Sequence, residues 1–384
     1  MAQSKTIRTT EYDSIVIGGG LSGLIVAHQL EGTGRKVALV EALDTLGGRC
    51  RPAKTVMGEI DSGLKFFPDT QETRDTLAWL SEVIGTEIAY EAIEAPAVTY
   101  DDGRFKPFVG WGDQKIATAH EVDAYAKEKY LRLASTPKDW VPKLVESFTG
   151  TLMMQSQVTK MQVDDEFVIE VVINGSKRIS GREVIFCATP QQLTKLLPDT
   201  HQPTKARQKL VKGEFWTSAN LDLIHNGQVT ESAAVHVLKG ANEEPSVGLF
   251  HKPATLEDGR TVQLSQWVTL VPKDVTEEAE IVASAIKQIK RQVKRAYETS
   301  LDGLIRERIV VSPISHGEVN GVFPEDGLWP KLQNLWVVSG FLDPMKNVLG
   351  SIRQARRTLA KIAGEPVIVH EQDSDLATEP QPTA

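Results

Sequence analysis

The feature that most constrains this chain is the stretch "YDSIVIGGGLSGLIVAHQL", Tyr12 to Leu30. An apolar run breaks on three consecutive glycines and passes at once into a helical pattern. A second apolar run, "KVALVEA", spans Lys36 to Ala42. Two buried strands joined by a helix within about thirty residues make a βαβ unit, which requires parallel pairing. Gly18, Gly20 and Gly23 fit the spacing G-x-G-x-x-G, with Leu21 and Ser22 inside it. Gly18 permits the tight turn, Gly20 lets the backbone approach a pyrophosphate, and Gly23 lets the helix pack closely on the sheet. The helix N-terminus adds free N–H donors and the positive end of a dipole. Glu41 closes the second strand. A carboxylate there accepts the hydroxyls of an adenosine ribose and opposes a 2′-phosphate. A purely structural glycine turn is the alternative, and strand, helix and acidic residue together weigh against it. These residues point to a dinucleotide other than NADP and leave NAD and FAD open.

The next stretch, "EALDTLGGRC", places Gly47, Gly48 and Arg49 just after Glu41. A second glycine turn with a guanidinium offers further donors beside a pyrophosphate. With "VIGGGLSGL" and "EALDTLGGR" the sequence resembles the flavin-containing amine oxidoreductase superfamily. That group includes monoamine and polyamine oxidases, protoporphyrinogen oxidases and phytoene desaturases. The resemblance implies FAD rather than NAD. "GEIDSGLKFFP", with Gly63 and Leu64, is similar to the family segment that runs past the flavin. "LMMQSQVTKMQV" resembles the strand whose backbone pairs with the adenine, at Val158. "REVIFCATP" would bring Ala188, Thr189 and Pro190 near the cofactor. "NLWVVSGF" and "VLGSIRQA" resemble the closing motif, with Gly340 as its first glycine. Val348, Leu349, Gly350, Ser351, Ile352 and Ala355 match the helix whose N-terminus points at the flavin pyrimidine in the family. A helix N-terminus stabilises the negative charge that a reduced flavin gains at N1–C2=O.

The fold implied is α/β, in two lobes, as 384 residues also suggest. A Rossmann-like, GR2-type FAD-binding domain is assembled discontinuously from residues 10–75, 150–195 and 325–366. An α+β substrate-binding domain with a mixed or antiparallel sheet takes residues 76–149 and 196–324. Residues 1–9 and 367–384 are expected to be flexible tails, the second being acidic and poor in apolar side chains. Periodicity predicts a helix over 70–91, a strand pair around "DDGR" within 92–109, and helices up to Ser147. It predicts short strands after Gly150, a long amphipathic helix from Glu277 to Thr299, and a strand at "ERIVVSP".

The sequence departs from its relatives where chemistry is concerned. Family amine oxidases place a lysine on a substrate-domain strand, and "EFWTSANLDL" has none, Ser218 being the nearest match. Phe341 and Leu342 follow Gly340 where the family has a glutamate. Asp343, Pro344, Met345 and Lys346 stand in place of the aromatic cage. Lys65 stands where the family has an aromatic or apolar residue facing the flavin. Lys65 is therefore a candidate electrostatic partner or base, the alternative being that strand alternation turns it to solvent. His316, in "SPISHGEVNG", is a candidate catalytic residue or an ordinary loop histidine. Trp216 and Trp267 are candidates for lining a substrate pocket or for core packing. Cys187 reads as inert packing, and Cys50 as a thiol that flanking arginines would activate if its thiolate is stabilised. No group of residues has metal-ligand spacing.

The net charge of −8 and the lack of a basic block argue against nucleic acid. The most basic stretch, "IKQIKRQVKR", has helical spacing and reads as a solvated face. Two cysteines fit a reducing, cytoplasmic setting. The first residues lack a signal-peptide core, and no stretch reads as a membrane span. The implied function is two-electron oxidation of a small-molecule substrate, as hydride to the flavin, with O2 or another acceptor reoxidising it. The substrate is either an amine or a larger apolar molecule that is desaturated. A flavin-binding protein without turnover is the alternative from a different class.

Overall fold

The computed structural model describes residues 11–126, 129–240, 243–273, 279–317 and 326–364. The expected tails, 1–9 and 367–384, lie outside the described residues. The chain opens with strand β1 (Tyr12–Ile17), helix α1 (Leu21–Gly32) and strand β2 (Val37–Val40). Helices α2 (Gln71–Ile84), α3 (Ala119–Ala126) and α4 (Pro137–Ser147) follow. Next come strands β3 (Thr151–Met153), β4 (Gly181–Phe186), β5 (Phe215–Asn226) and β6 (Thr261–Pro272). Helix α5 (Ala279–Ala296), strands β7 (Arg306–Gly317) and β8 (Leu335–Val337), and helix α6 (Val348–Ala363) complete the main elements.

The first sheet has the order β8-β4-β1-β2-β3 and is parallel throughout. Parallel strands need both faces covered, which is why these read as continuous apolar runs. The first two turns of helix α1 are apolar because they are buried all round, with Leu21, Leu24, Ile25 and Val26 at 4% exposure or less, while His28, Gln29 and Glu31 near its end are partly exposed. Helices α2, α4 and α6 pack around it. A three-stranded antiparallel meander (Val158–Asp164, Phe167–Ile173, Lys177–Ile179) covers the opposite face. The second sheet is built on three twelve-residue strands, with β5 antiparallel to both β6 and β7. It extends through Ser246–Phe250, His236–Leu238 and the hairpin Val98–Asp101/Arg104–Pro107. Helix α5 covers one face of this sheet through Ala285, Ile286, Ile289 and Val293. Among the described residues no helix is long and apolar enough to cross a membrane.

The architecture is the mixed α/β arrangement expected, with three differences in detail. The helix expected over 70–91 stops at Ile84, because Gly85 adopts the left-handed conformation (φ +64°) that ends helices. Tyr90–Ile93 then pairs with Tyr130–Leu133, a strand absent from the sequence reading. Most importantly, α2 and α4 pack in one core with α1 and α6. Two helices of the stretch 76–149, placed with the substrate lobe from sequence, therefore pack in the core of the first sheet, while its hairpin and α3 go with the second.

The closest backbone approach in the first sheet lies at the glycine turn. A Cβ on Gly23 would drive into the Gly18 carbonyl oxygen. Gly18 itself has φ +105° and its Cα abuts the Cys187 carbonyl. Neither partner yields easily, since both are backbone. Gly23→Ala is therefore expected to destabilise the fold by about 1–3 kcal/mol, read as a lowered denaturant midpoint.

Candidate functional site

The carboxyl ends of β1, β2, β4 and β8 open onto a cavity of about 280 Å3. Its first wall is the glycine turn, Gly18 to Ser22, with Glu41, Gly48 and Arg49. A Cβ on Gly20 would meet nothing within 4 Å, so this position faces open space. Gly20 and Gly23 thus divide the labour expected of them, one toward the cavity and the other into packing. One Glu41 oxygen accepts from the Gly19 N–H at 2.6 Å and the other from the Leu43 N–H at 2.8 Å. Each oxygen keeps a lone pair for a further donor. Arg49 has no carboxylate partner among the described residues. Arg49 lines the cavity with much of its side chain accessible, and partial desolvation pulls its pKa down. A guanidinium on the cavity wall with no protein anion is what a bound pyrophosphate would neutralise.

The second wall is the start of α6. Gly340, Asn347, Val348 and Ser351 line the cavity. The sequence reading assigned this whole turn to the cofactor, and three of its members sit differently. Leu349 and Ile352 are fully buried in the core with α1. Gly350 packs its Cα against the Met345 carbonyl. The Asn347 side chain also caps the helix, accepting from the Leu349 and Gly350 N–H groups at 2.9 and 3.3 Å. Those two donors are therefore already engaged. Behind this turn a buried network fixes it. Arg357 bridges Asp343 at 2.9 Å and Glu72 at 2.8 Å, and Arg353 lies 3.0 Å from Glu72.

The third wall belongs to the second sheet. Ser218 and Asn220 of β5, Val268 of β6, and Ser312, Ser315 and His316 of β7 face the cavity. Strand β7 carries a bulge here. Trp216 pairs with His316 and Ser218 with Ser312, so the single Thr217 of β5 faces Pro313, Ile314 and Ser315 of β7. Ile314 inside the bulge takes φ +47°, a strained value for a β-branched residue. The bulge turns Ser315 and His316 inward. His316 is thus a buried strand residue and not a loop histidine. Its ring bonds Ser315 Oγ at 2.8 Å and Tyr125 Oη at 3.4 Å. Burial lowers its pKa to about 4, with Arg49 and Lys346 adding to the shift and Glu121 opposing it.

Lys65 points inward. The segment before it is pinned to the sheet: Gln266 donates to the Asp61 carbonyl at 3.0 Å, and Arg308 to Ser62 Oγ at 2.9 Å. Gly63 turns at φ +71° with Asn220 against its Cα. Lys65 then lines the cavity beside Leu64, its Nζ donating to the Ser62 carbonyl at 2.7 Å. Simple alternation would have turned it out, and the Gly63 turn breaks that alternation.

The tryptophans are corrected. Trp267 is fully buried on the α5 side of the sheet, its indole N–H donating to Ser265 at 2.9 Å. Trp216 lies on the cavity side but packs into the adjoining core. Neither is among the residues that line the cavity. Val158 sits at the start of the meander, paired with Ile173, outside the cavity lining. Ala188 and Thr189 line the cavity. Cys50 also lines it, but burial raises its thiol pKa despite Lys65 and Arg49, so it is not an activated thiolate. Burial raises the Cys187 thiol likewise. Sequence reasoning missed Tyr125 and Glu121, although their spacing of four places them on one face of α3. Glu121 pairs with the buried Lys346 Nζ at 3.3 Å.

A family model described as an NAD(P)-binding Rossmann-like domain matches residues 16–83. Polyamine oxidase 5 of Oryza sativa subsp. japonica is 27% identical over 159 residues, 41% of this chain and 28% of that protein. (S)-6-hydroxynicotine oxidase of Paenarthrobacter nicotinovorans is 49% identical over 49 residues, 12% of each chain. These matches span well under a third of the curated relatives' length. The solved structure of cyclohexylamine oxidase from Brevibacterium oxydans IH-35A superposes with a TM-score of 0.64 at 12% identity, covering 92% of this chain and 99% of its own. The chain has the flavin amine oxidoreductase fold. In this flavin amine oxidoreductase fold the residues present fit FAD: an open Gly20, a carboxylate with spare lone pairs at Glu41, and an unpartnered Arg49.

Two buried histidines give the fold an acid-sensitive range. His316 and His236 both have pKa values lowered by burial from 6.5 to about 4. The unfolded chain therefore takes up protons first as pH falls. Their contribution is complete above pH 6.5 and is lost progressively toward pH 4. The slope is expected to be roughly 1 kcal/mol per pH unit for each histidine. Thermal denaturation between about pH 8 and pH 5 reads the upper part of this range, and His316→Gln is expected to flatten the slope.

Proposed function

We propose that this protein is an FAD-dependent oxidoreductase that removes two electrons from a polar small molecule at a C–N or C–H bond. The observation that carries the reading is a single cavity. It joins the glycine turn, the unpartnered Arg49, the start of α6 and a wall from the second sheet. The fold's likeness to cyclohexylamine oxidase supports it. When bound, the flavin supplies the two-electron chemistry, accepting hydride and passing electrons to O2 or another acceptor.

This chain's own residues orient the substrate and keep water out. Ser218, Asn220, Ser312, Ser315, His316 and Lys65 make the substrate-lobe side polar. These groups disfavour a wholly apolar substrate, because burying them against hydrocarbon leaves them unsatisfied, while Leu64, Phe66 and Val268 beside them suit an apolar portion. Neutral His316 is held by its two hydrogen bonds and contributes no charge. Glu41, at the opposite end, is the one carboxylate among the described lining residues. An amine substrate must therefore reach the site with its reactive nitrogen already uncharged.

The absorption spectrum of purified protein tests the cofactor, since bound flavin is yellow. Anaerobic addition of reductants tests turnover: a substrate bleaches the flavin, whereas a protein that only binds flavin keeps its colour. Arg49→Met is expected to weaken FAD binding by about 10- to 100-fold. The denaturation midpoint of the cofactor-free protein should stay nearly unchanged, because Arg49 has no ion pair within the described residues to lose. Gly20→Ala is expected to leave cofactor-free stability within about 0.5 kcal/mol while weakening FAD retention. Fluorescence titration of stripped protein with FAD measures both variants.

A further inference from the structure

The charges around the cavity are distributed unevenly. Two lysines line it, Lys65 and Lys346. Lys346 is balanced by Glu121, which lies behind it and outside the lining. No carboxylate reaches Lys65 directly: among the described residues its one hydrogen bond goes to the neutral Ser62 carbonyl, although the Asp61 and Asp222 carboxylates act on it electrostatically from further off. Those two carboxylates make their hydrogen bonds with other partners. Asp222 accepts from Gln266 at 3.0 Å and pairs with Arg308 at 3.3 Å. Asp61 accepts from the Lys138 N–H at 3.0 Å. An ammonium has three donors, so the Ser62 carbonyl leaves donor capacity at Lys65 for a ligand.

The sheet beside Lys65 presents donors too. Asp222, Asn220 and Ser218 follow one another on the same face of β5, and the segment carrying Lys65 runs along that face, with Gly63 against Asn220. Ser218 pairs in register with Ser312 of β7, and both line the cavity. Ser218 Oγ accepts from Asn220 at 3.1 Å, which leaves its own proton free to donate outward. An ammonium and two hydroxyls with no carboxylate among them repel a cation and match a carboxylate.

We infer that the substrate of this enzyme carries a carboxylate, held by the Lys65 ammonium with the Ser218 and Ser312 hydroxyls. The inference rests on reading the cavity as a flavin oxidoreductase site. Lys65 is in this account a specificity-determining residue that sets which molecules enter, while the bond oxidised lies elsewhere on the substrate. A lone ammonium finds no carboxylate among the described lining residues on this face.

Isothermal titration calorimetry of the purified protein with benzoate and with benzylamine, two probes of like size and opposite charge, tests it near neutral pH. Benzoate is expected to bind and to perturb the flavin absorption band, and benzylammonium to bind at least about 10-fold more weakly. Lys65→Met is expected to lower benzoate affinity about 10- to 100-fold while the flavin content per chain stays unchanged, and Lys65→Arg to restore part of it. No binding of benzoate, equal or tighter binding of benzylammonium, or an unaltered benzoate affinity in Lys65→Met would overturn the inference. A colourless protein that accepts no added FAD would instead defeat the flavin reading, and the calorimetric comparison would still decide the charge preference.

Discussion

The contact between the Gly23 Cα and the Gly18 carbonyl holds the rest of the site in place. It sets how near α1 comes to the end of β1, and so where the first free N–H groups of that helix point. Gly18 in turn abuts Cys187 at the end of β4. Three adjacent elements are thereby locked by backbone contacts too close for any side chain. The opening that results is lined by Gly20, and its far side is closed by Arg49. Packing and recognition are therefore one arrangement: the same glycines that let the helix seat also leave the space a phosphate group needs.

The start of α6 is fixed differently, by charge. Glu72 from α2 and Asp343 face Arg353 and Arg357 across a buried network. Such networks cost desolvation and are weak evidence of stability, but breaking one partner leaves a buried charge exposed to nothing. Their effect here is positional. They tie the Gly340–Lys346 segment to both flanking helices, and Asn347 then caps α6 from a defined place. The nucleotide end of the cavity thus depends on close packing, and the opposite end on paired charges.

The nucleotide half was legible in the sequence because its signals are local. Gly18, Gly20, Gly23, Glu41 and Arg49 lie within some thirty residues, and each does a job its residue type dictates. The substrate half was not. Whether Lys65 faces in or out turns on Gly63 and on Asn220, more than 150 residues away in sequence. Tyr125 reaches His316 across 191 residues. The two tryptophans looked alike as strand aromatics, yet neither lines the cavity, and Trp267 falls on the far face by a period of two that only register decides. The α2 and α4 packing was misassigned for the same reason, since an amphipathic face does not name its partner. Pro313, within the β7 pattern, was the one local sign of the bulge that brings His316 inward.

That bulge sits on β7, the outermost strand of its sheet. Residues on an edge strand answer to one neighbour, and within the bulge the ladder to β5 is already interrupted. Pro313, Ile314 and Ser315 can therefore change without disturbing a paired row. Substitutions there reshape the wall of the cavity while the twelve-residue strands behind it keep their register. The chain has placed its most exchangeable backbone next to the part of the site that meets the substrate. Divergence of substrate preference among proteins built this way is accordingly expected to accumulate along this one margin, with the nucleotide turn unchanged.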